Sequence, residues 1–268
     1  MMPHPGQLAK VLCAVAFSLT HGASIPTDPS LPKSDVLVKK FIHRWQEEDR
    51  ENLDEKFGFI EHRLYDTLDK SGGVKEHSDE TFQVVLLDGR PFLRLIAKDA
   101  KPLVAEEQRK QADRENKFRE EQRRTGEDKK DDRLKVDEIF LSHFQLEAVG
   151  REVLNGRPSY VVTVLPKPGN FSVRNNAEKI FTHMQGRVWV DTEDFTLVKC
   201  DLHLTEPTSF YGILGSVRQI DLMLQRRWVE DKTWVFESLR YTLDARRLFT
   251  SIHMRQDSEY SEFKKMIP

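Results

Sequence analysis

Hydrophobic positions recur with two different spacings along this chain. In residues 35–51, Val38, Ile42 and Trp45 recur at helical spacing, with Phe41 beside them and charged residues at most other positions. Beyond this segment the spacing changes toward two, which is typical of strands. The pattern therefore predicts one amphipathic helix followed by a mainly β chain.

Two tight hairpins are indicated by pairs of turn residues that follow apolar segments. Asp88-Gly89 follows the apolar segment 81–87, and Asn155-Gly156 follows the segment 146–154. Asp-Gly and Asn-Gly suit two-residue hairpin turns, because both central residues of such a turn need a positive φ. Each pair therefore predicts two antiparallel neighbours in a sheet.

The C-terminal part of the chain predicts long strands with one slip of phase. Trp234 and Phe236 share one phase of the alternation, whereas Leu239, Tyr241 and Leu243 share the other. Such a slip predicts a β-bulge, or a strand that bends around a curved sheet. Long strands joined by short turns predict an antiparallel meander, arranged as a sandwich or a barrel.

Residues 106–132 differ in kind, because nearly all of them are charged or polar and Phe118 is their only large apolar residue. Acid-to-base pairs four residues apart, such as Glu106–Lys110 and Glu115–Arg119, add about 0.2–0.5 kcal/mol each to an exposed helix. The segment lacks the apolar heptad seam of a coiled coil. We expect a solvated helical arm inserted at about residues 104–132, with a partner-binding helix as the alternative.

The N-terminal residues have the layout of a secretory signal peptide. Lys10 precedes an apolar run at residues 11–19, and small residues surround Ala23. The run is too short to span a bilayer, which needs about 20 apolar residues. We expect cleavage near Ala23, so that the first 23 residues are the signal peptide, residues 24–33 a linker and residues 34–268 a single domain.

Composition narrows the class of protein further. Charged residues make up 32% of the chain, yet the formal net charge is only −2, and this balance argues against nucleic-acid binding. Cys200 is the one cysteine that remains after removal of the signal peptide, so we expect no internal disulfide. We expect an exported protein in the periplasm of a Gram-negative-type bacterium, with at most peripheral membrane contact.

No spacing of reactive residues indicates a catalytic or metal site. The nine histidines are scattered, and none belongs to an HExxH or paired-ligand motif. The segment 212–216 lacks the lysine of a phosphate-binding loop, and no GxSxG motif marks a nucleophilic serine. We expect a protein without enzymatic activity, cofactor or metal. A hydrolase whose site is assembled from distant loops is the alternative.

Candidate ligand contacts come from the C-terminal strands. The apolar loop at residues 210–214 either folds back over the open end of the sheet or forms an exposed lip that guards a cavity or touches lipid. Aromatic residues on the strands fill the core, or line a cavity if the sheet curls enough to leave one. The candidate cavity residues are Trp189, Phe210, Tyr211, Leu222, Leu224, Trp228, Trp234 and Phe236.

Short segments of the chain resemble a known superfamily. Gly186-Arg187-Val188-Trp189-Val190-Asp191, followed by Leu197-Val198-Lys199, is similar to the GxVWID…LV(R/K) strand pair of periplasmic proteins related to outer-membrane lipoprotein-sorting carriers. Gly89-Arg90-Pro91 and Lys101-Pro102-Leu103, followed by a charged helix, resemble a bacterial branch of this superfamily with no assigned role. The resemblance implies an α+β, mainly β fold, in which helices cover the concave face of an open, strongly curved antiparallel sheet, or half-barrel.

The resemblance also implies a function, since members of the superfamily hold acyl chains in the concave cavity or sense such lipids as regulators. We expect a binding protein for lipid or lipidated protein, in outer-membrane lipoprotein sorting or envelope maintenance. Burying one methylene is worth about 0.8 kcal/mol, so an acyl chain needs no charged site for affinity. The alternative is an interaction or lipid-sensing module that docks an envelope protein through the charged helical arm.

Overall fold

The computed structural model describes residues 31–51, 56–124, 134–169, 171–210, 215–229, 233–247 and 250–266. These residues form four helices and twelve strands. The helices are α1 (Ser34–Glu51), α2 (Ala105–Arg124), α3 (Glu138–Ser142) and α4 (Asn176–Phe181). The strands are β1 (Phe57–Leu68), β2 (Val74–Leu87), β3 (Arg90–Lys98), β4 (Lys101–Pro102), β5 (Phe144–Leu154), β6 (Arg157–Pro166), β7 (Met184–Asp191), β8 (Leu197–Leu204), β9 (Thr208–Phe210), β10 (Gly215–Val229), β11 (Thr233–Arg247) and β12 (Thr250–Lys265).

The predicted signal peptide, together with residues 24–30 of the predicted linker, lies outside the described residues. Among the helices of the described ranges, none has both the length and the apolar composition needed to cross a membrane. The helix predicted at residues 35–51 is confirmed as α1.

All twelve strands belong to one antiparallel sheet in the order β4-β3-β2-β1-β12-β11-β10-β8-β7-β6-β5, and β9 pairs with β10 at the side of this path. The first and last long strands are therefore neighbours, and their register runs from Phe57↔Lys265 to Thr67↔Met254. The two ends of the order are not joined, so the sheet stays open as a half-barrel. The predicted α+β, mainly β class and the open, curved sheet with helical cover are confirmed.

Both predicted hairpins are confirmed. Asp88 and Gly89 have φ values of 51° and 79°, and Asn155 and Gly156 have values of 51° and 77°. A positive φ at both central residues is the signature of the type I′ turn, whose twist matches that of the flanking strands. The turns join β2 to β3 and β5 to β6 in antiparallel register.

The predicted phase slip in β11 is confirmed as a bulge. Gln225 pairs with Ser238 and Arg226 pairs with Phe236, so Glu237 has no partner position in β10. One extra residue in a strand reverses the alternation on either side of it. Leu239 and Phe236 therefore both pack against the main hydrophobic cluster, although they are three residues apart.

Helix α2 is docked along β3 rather than extended into solvent as a separate arm. Gln111 is buried and accepts a hydrogen bond from the Leu95 amide at 3.2 Å. The Phe118 ring centroid lies 5.0 Å from that of Phe92 at the same interface. The expected solvated arm thus keeps a charged outer face but is packed on its inner face. The pattern of apolar residues could not predict this contact, because the polar side chains Gln111 and Glu115 form much of it.

A chain of buried polar side chains crosses the inner face where β1 meets β12 and β11. Arg63 donates two hydrogen bonds to Glu61, at 2.8 and 2.9 Å, and the Ser258 hydroxyl donates a third at 2.8 Å. Gln256 donates to Ser258 and accepts from the Tyr241 hydroxyl. Burial raises the pKa of Tyr241 to about 12, so its hydroxyl remains a donor. This network favours one register between the first and last strands, because a shift would leave buried polar groups unpaired.

Candidate functional site

An apolar pocket lies between the inner face of the sheet and helices α1, α3 and α4. Its cavity volume is about 100 Å³. All eighteen side chains that line it are aliphatic, aromatic or thioether groups. They are Leu37, Val38, Phe41, Trp45, Leu134, Val136, Phe140, Leu141, Phe144, Leu146, Val162, Val164, Phe181, Met184, Val188, Val190, Leu197 and Leu202.

Helix α1 forms one wall of the pocket. Leu37, Val38, Phe41 and Trp45 recur at steps of one, three and four residues, which places them on one side of a helix. The rings of Phe41 and Trp45 are 5.9 Å apart. The same periodicity that predicts the helix from sequence thus also supplies part of the pocket wall.

The C-terminal part of α1 is attached to the sheet by an ion pair between the buried Arg226 and the half-buried Glu48. Arg226 in β10 donates to Glu48 at 3.0 Å, and the Thr196 hydroxyl donates to the other Glu48 oxygen at 2.9 Å. Burial by itself raises the pKa of the Glu48 carboxyl. The charge and hydrogen bond of Arg226, together with Arg44 and Thr196, outweigh that effect, so the pKa of Glu48 is lowered. Glu48 is therefore held ionised, and α1 is held against β10 and against Thr196, which directly precedes β8.

Short helices α3 and α4 supply Phe140, Leu141 and Phe181 to the pocket wall, and each begins with a side-chain cap. Asp137 accepts a hydrogen bond from the Phe140 amide at 2.9 Å, and Asn175 accepts one from the Glu178 amide at 2.9 Å. Such caps satisfy amides that a helix start leaves without an intrahelical partner. They matter here because helices of five and six residues have little stability of their own.

One arginine links the starts of these two helices. Arg174 Nη1 donates to Asp137 at 2.6 Å, and Arg174 Nε and Nη2 donate to Glu178 at 2.9 and 3.0 Å. Burial alone would raise the pKa of both carboxyls, but Arg174 outweighs it and holds both below their ordinary values. We call Arg174, Asp137 and Glu178 the helix clamp. It holds α3 and α4 together over the sheet.

The chemistry available in the pocket is that of apolar binding. No ionisable side chain lines it. In the part of the chain that the structure describes, no group of three or more His, Cys, Asp or Glu residues could hold a metal ion. An apolar cavity of this kind favours apolar groups over water.

The predicted cavity residues that the structure describes do not line this pocket, although Leu222 pairs directly with the pocket residue Leu202. Leu222 and Leu224 belong to the main hydrophobic cluster, and Phe236 packs against it. Trp189 and Trp234 form a separate cluster with Val161 and Val198, and Trp228 packs against that cluster. Tyr211 and the side chain of Phe210 lie outside the described residues. None of the six described candidates is among the side chains that line the pocket.

Trp189 lies on the face of β7 opposite the pocket. Its neighbours Val188 and Val190 both line the pocket, so the alternation of the strand places Trp189 on the other face. There its Nε1 donates to Glu152 at 2.6 Å, and Lys199 Nζ lies 4.4 Å from the ring centroid. Both faces of β7 carry large apolar side chains, so the sequence pattern alone does not identify the inner face.

Known proteins give weak comparisons. No protein family model and no curated protein matches the sequence. The structure is similar to a candidate outer membrane lipoprotein-sorting protein domain from Vibrio parahaemolyticus, with a TM-score of 0.34 and 11% identity, covering 85% of this chain and 93% of that one. It is similar to a LolA superfamily protein from Nitrosomonas europaea, with a TM-score of 0.29 and 12% identity, covering 89% and 96%.

A third similar structure is the MucA/MucB complex of Pseudomonas aeruginosa, with a TM-score of 0.25 and 9% identity over 86% of this chain and 99% of that one. The first two names agree with the superfamily that the Gly186–Asp191 segment resembles. Likeness at these TM-scores carries no argument about what the chain does. Function therefore has to be argued from the pocket itself.

Proposed function

We propose that this protein is a non-enzymatic binding protein that holds the end of an acyl or alkyl chain in the pocket under α1, α3 and α4. The observation that carries the proposal is the wholly apolar wall of eighteen side chains. The ligand is the chain of a lipid or of a lipidated protein. No histidine, aspartate or serine belongs to the pocket wall, and this composition favours binding over hydrolysis.

The pocket contributes favourable free energy to such binding. Each methylene moved from water into an apolar site contributes about 0.8 kcal/mol. The cavity of about 100 Å³ is somewhat smaller than engineered apolar cavities of about 150 Å³ that stay dry and bind benzene. A few carbon atoms of a chain end match this size. The polar part of the ligand then stays outside the apolar wall.

The signal-like N-terminal residues support an exported protein, and we propose the periplasm as its location. There the protein carries acylated molecules in lipoprotein sorting or envelope maintenance. Docking of an envelope protein through α2 stays a prediction of the sequence, because the charged outer face of this helix does not by itself select a partner.

A pocket-filling substitution tests the proposal. Val188→Trp places a large ring in the pocket wall and is expected to reduce binding of a fluorescent long-chain fatty acid at least tenfold. Val153→Trp is the matched control, because Val153 also lies on a strand but is 68% exposed and outside the pocket. Equal binding by both folded variants and the unsubstituted protein would show that the pocket is not the binding site.

A further inference from the structure

Three phenylalanines from three different elements meet in the pocket wall. Phe140 lies on α3, Phe144 begins β5 and Phe181 ends α4. The Phe140 ring centroid is 5.2 Å from that of Phe144 and 6.4 Å from that of Phe181, both in edge-to-face orientation. All three side chains are buried. We call them the phenylalanine wall.

Only some of the other lining residues differ from this wall in their access to solvent, since Leu37, Val136 and most of the strand residues in the lining are buried too. Val38, Phe41 and Trp45 on α1 are only half-buried, as are Leu134, which precedes α3, and Leu141, which lies within it. The three phenylalanines of the wall, in contrast, are buried members of the main hydrophobic cluster. A chain that enters from the half-buried side therefore ends against packed aromatic rings.

The helix clamp makes this wall resistant to displacement. Arg174 joins Asp137, which caps the helix of Phe140, to Glu178, which lies one turn before Phe181. Edge-to-face packing stabilises each aromatic pair beyond the effect of its buried area. A wall held by charge-assisted hydrogen bonds on one side and ring packing on the other cannot retreat easily before a longer ligand.

We infer that the phenylalanine wall is a stop that sets how many carbon atoms of a chain end the pocket accepts. The inference rests on the proposed function and names the specificity of the same site. It predicts selection by chain length, with Phe181 as the residue that most directly sets the limit, since its ring closes the α4 side. Ligands longer than the limit keep their additional methylenes outside the wall and gain no further affinity from it.

Titration calorimetry with straight-chain alkanoates of six to sixteen carbons, below their micelle concentrations, tests this inference. Affinity for the unsubstituted protein is expected to rise about fourfold per added methylene up to a limiting length and then stay level. Phe181→Ala should move the limit to longer chains by about two carbons or more, because the lost ring leaves space that collapses only in part. Phe181→Leu should move the limiting chain length in the same direction by less. If the alanine variant does not fold, the leucine variant tests the inference in its place.

Phe118→Ala is the matched control, because its ring packs on Phe92 at the α2 interface and outside the pocket. It should keep the limit of the unsubstituted protein. A folded Phe181 variant with an unmoved limit would overturn the stop while leaving the binding function in place. A steady rise in affinity up to sixteen carbons in the unsubstituted protein would do the same. No binding of any alkanoate by the folded, unsubstituted protein would remove both the proposed function and the stop.

Discussion

Arg174 Nη1 lies 2.6 Å from Asp137 Oδ2, and this contact ties the loop before α4 to the residue that caps α3. Neither helix is long enough to be stable alone. The pocket wall that they carry therefore depends on one guanidinium and its carboxylate partners.

The helix clamp predicts a large cost for removing Arg174. Arg174→Ala leaves the nearly fully buried Glu178 carboxylate without its main partner. We expect the free energy of unfolding to fall by about 2–4 kcal/mol, toward the range for broken buried ion pairs. Chemical denaturation measures this loss. Arg240→Ala is the control, because Arg240 and Asp257 form an exposed pair worth about 1 kcal/mol or less. Similar losses in the two variants would contradict a special role for the clamp.

Acid should weaken the protein through the same carboxyls. The pKa values of Glu178, Glu48 and Asp137 are lowered in the folded state, from ordinary values of 4.5, 4.5 and 3.8. Their contribution to stability is therefore full above those ordinary values and is lost as the pH falls through the lowered ones. Burial raises the pKa of Asp201, which acts in the opposite direction.

Denaturation midpoints between about pH 7 and pH 3 measure this dependence. The midpoint should begin to decline near pH 4.5, the ordinary glutamate value, and fall further below it. Glu178→Gln should lower the midpoint at neutral pH and make the acid decline shallower. Glu147→Gln, an exposed change on β5, should leave the curve unaltered. An acid decline as steep in the Glu178 variant as in the unsubstituted protein would speak against this explanation.

The Glu61–Arg63 pair predicts strong coupling between two substitutions. Glu61→Leu leaves the buried Arg63 guanidinium uncompensated and should cost about 3–5 kcal/mol. The double variant Glu61→Leu/Arg63→Leu removes both charges and should recover a large part of that loss. A double-mutant cycle from denaturation curves measures the coupling. Additive losses would mean that the pair does not act as a unit.

The packing of α2 predicts that Gln111, a neutral side chain on a charged helix, contributes to the free energy of unfolding. Gln111→Ala removes the acceptor for the Leu95 amide at the edge of β3 and should cost about 1–3 kcal/mol. It should also speed hydrogen exchange of that amide. Asn116→Ala on the exposed face of the same helix should stay within about 0.5 kcal/mol. Equal effects of the two would indicate that α2 is only loosely attached.

Local features of the fold could be predicted well from sequence. The Asp88-Gly89 and Asn155-Gly156 turns and the phase slip near Glu237 depend on φ preferences and on alternation within a few residues. The apolar stripe of α1 likewise needs no information from distant residues. These features were confirmed for that reason.

The pocket could not be predicted in the same way, because it depends on contacts between residues far apart in sequence. Alternation shows that Val188 and Trp189 lie on opposite faces of β7, but not which face is inside. Phe140 and Phe181 lie on helices of five and six residues, too short for a clear periodic signal. Arg174 reads as an ordinary surface charge until Asp137, 37 positions earlier, is placed beside it.

The most direct test of the central claim is native mass spectrometry of the purified protein, before and after addition of a long-chain fatty acid, with organic extraction of whatever copurifies. We predict a stoichiometric acyl-containing species on the isolated protein, or its one-to-one uptake on addition, and loss of either in Val188→Trp. A folded protein that carries no such species and takes up none would contradict the assignment of the apolar pocket as an acyl-chain site.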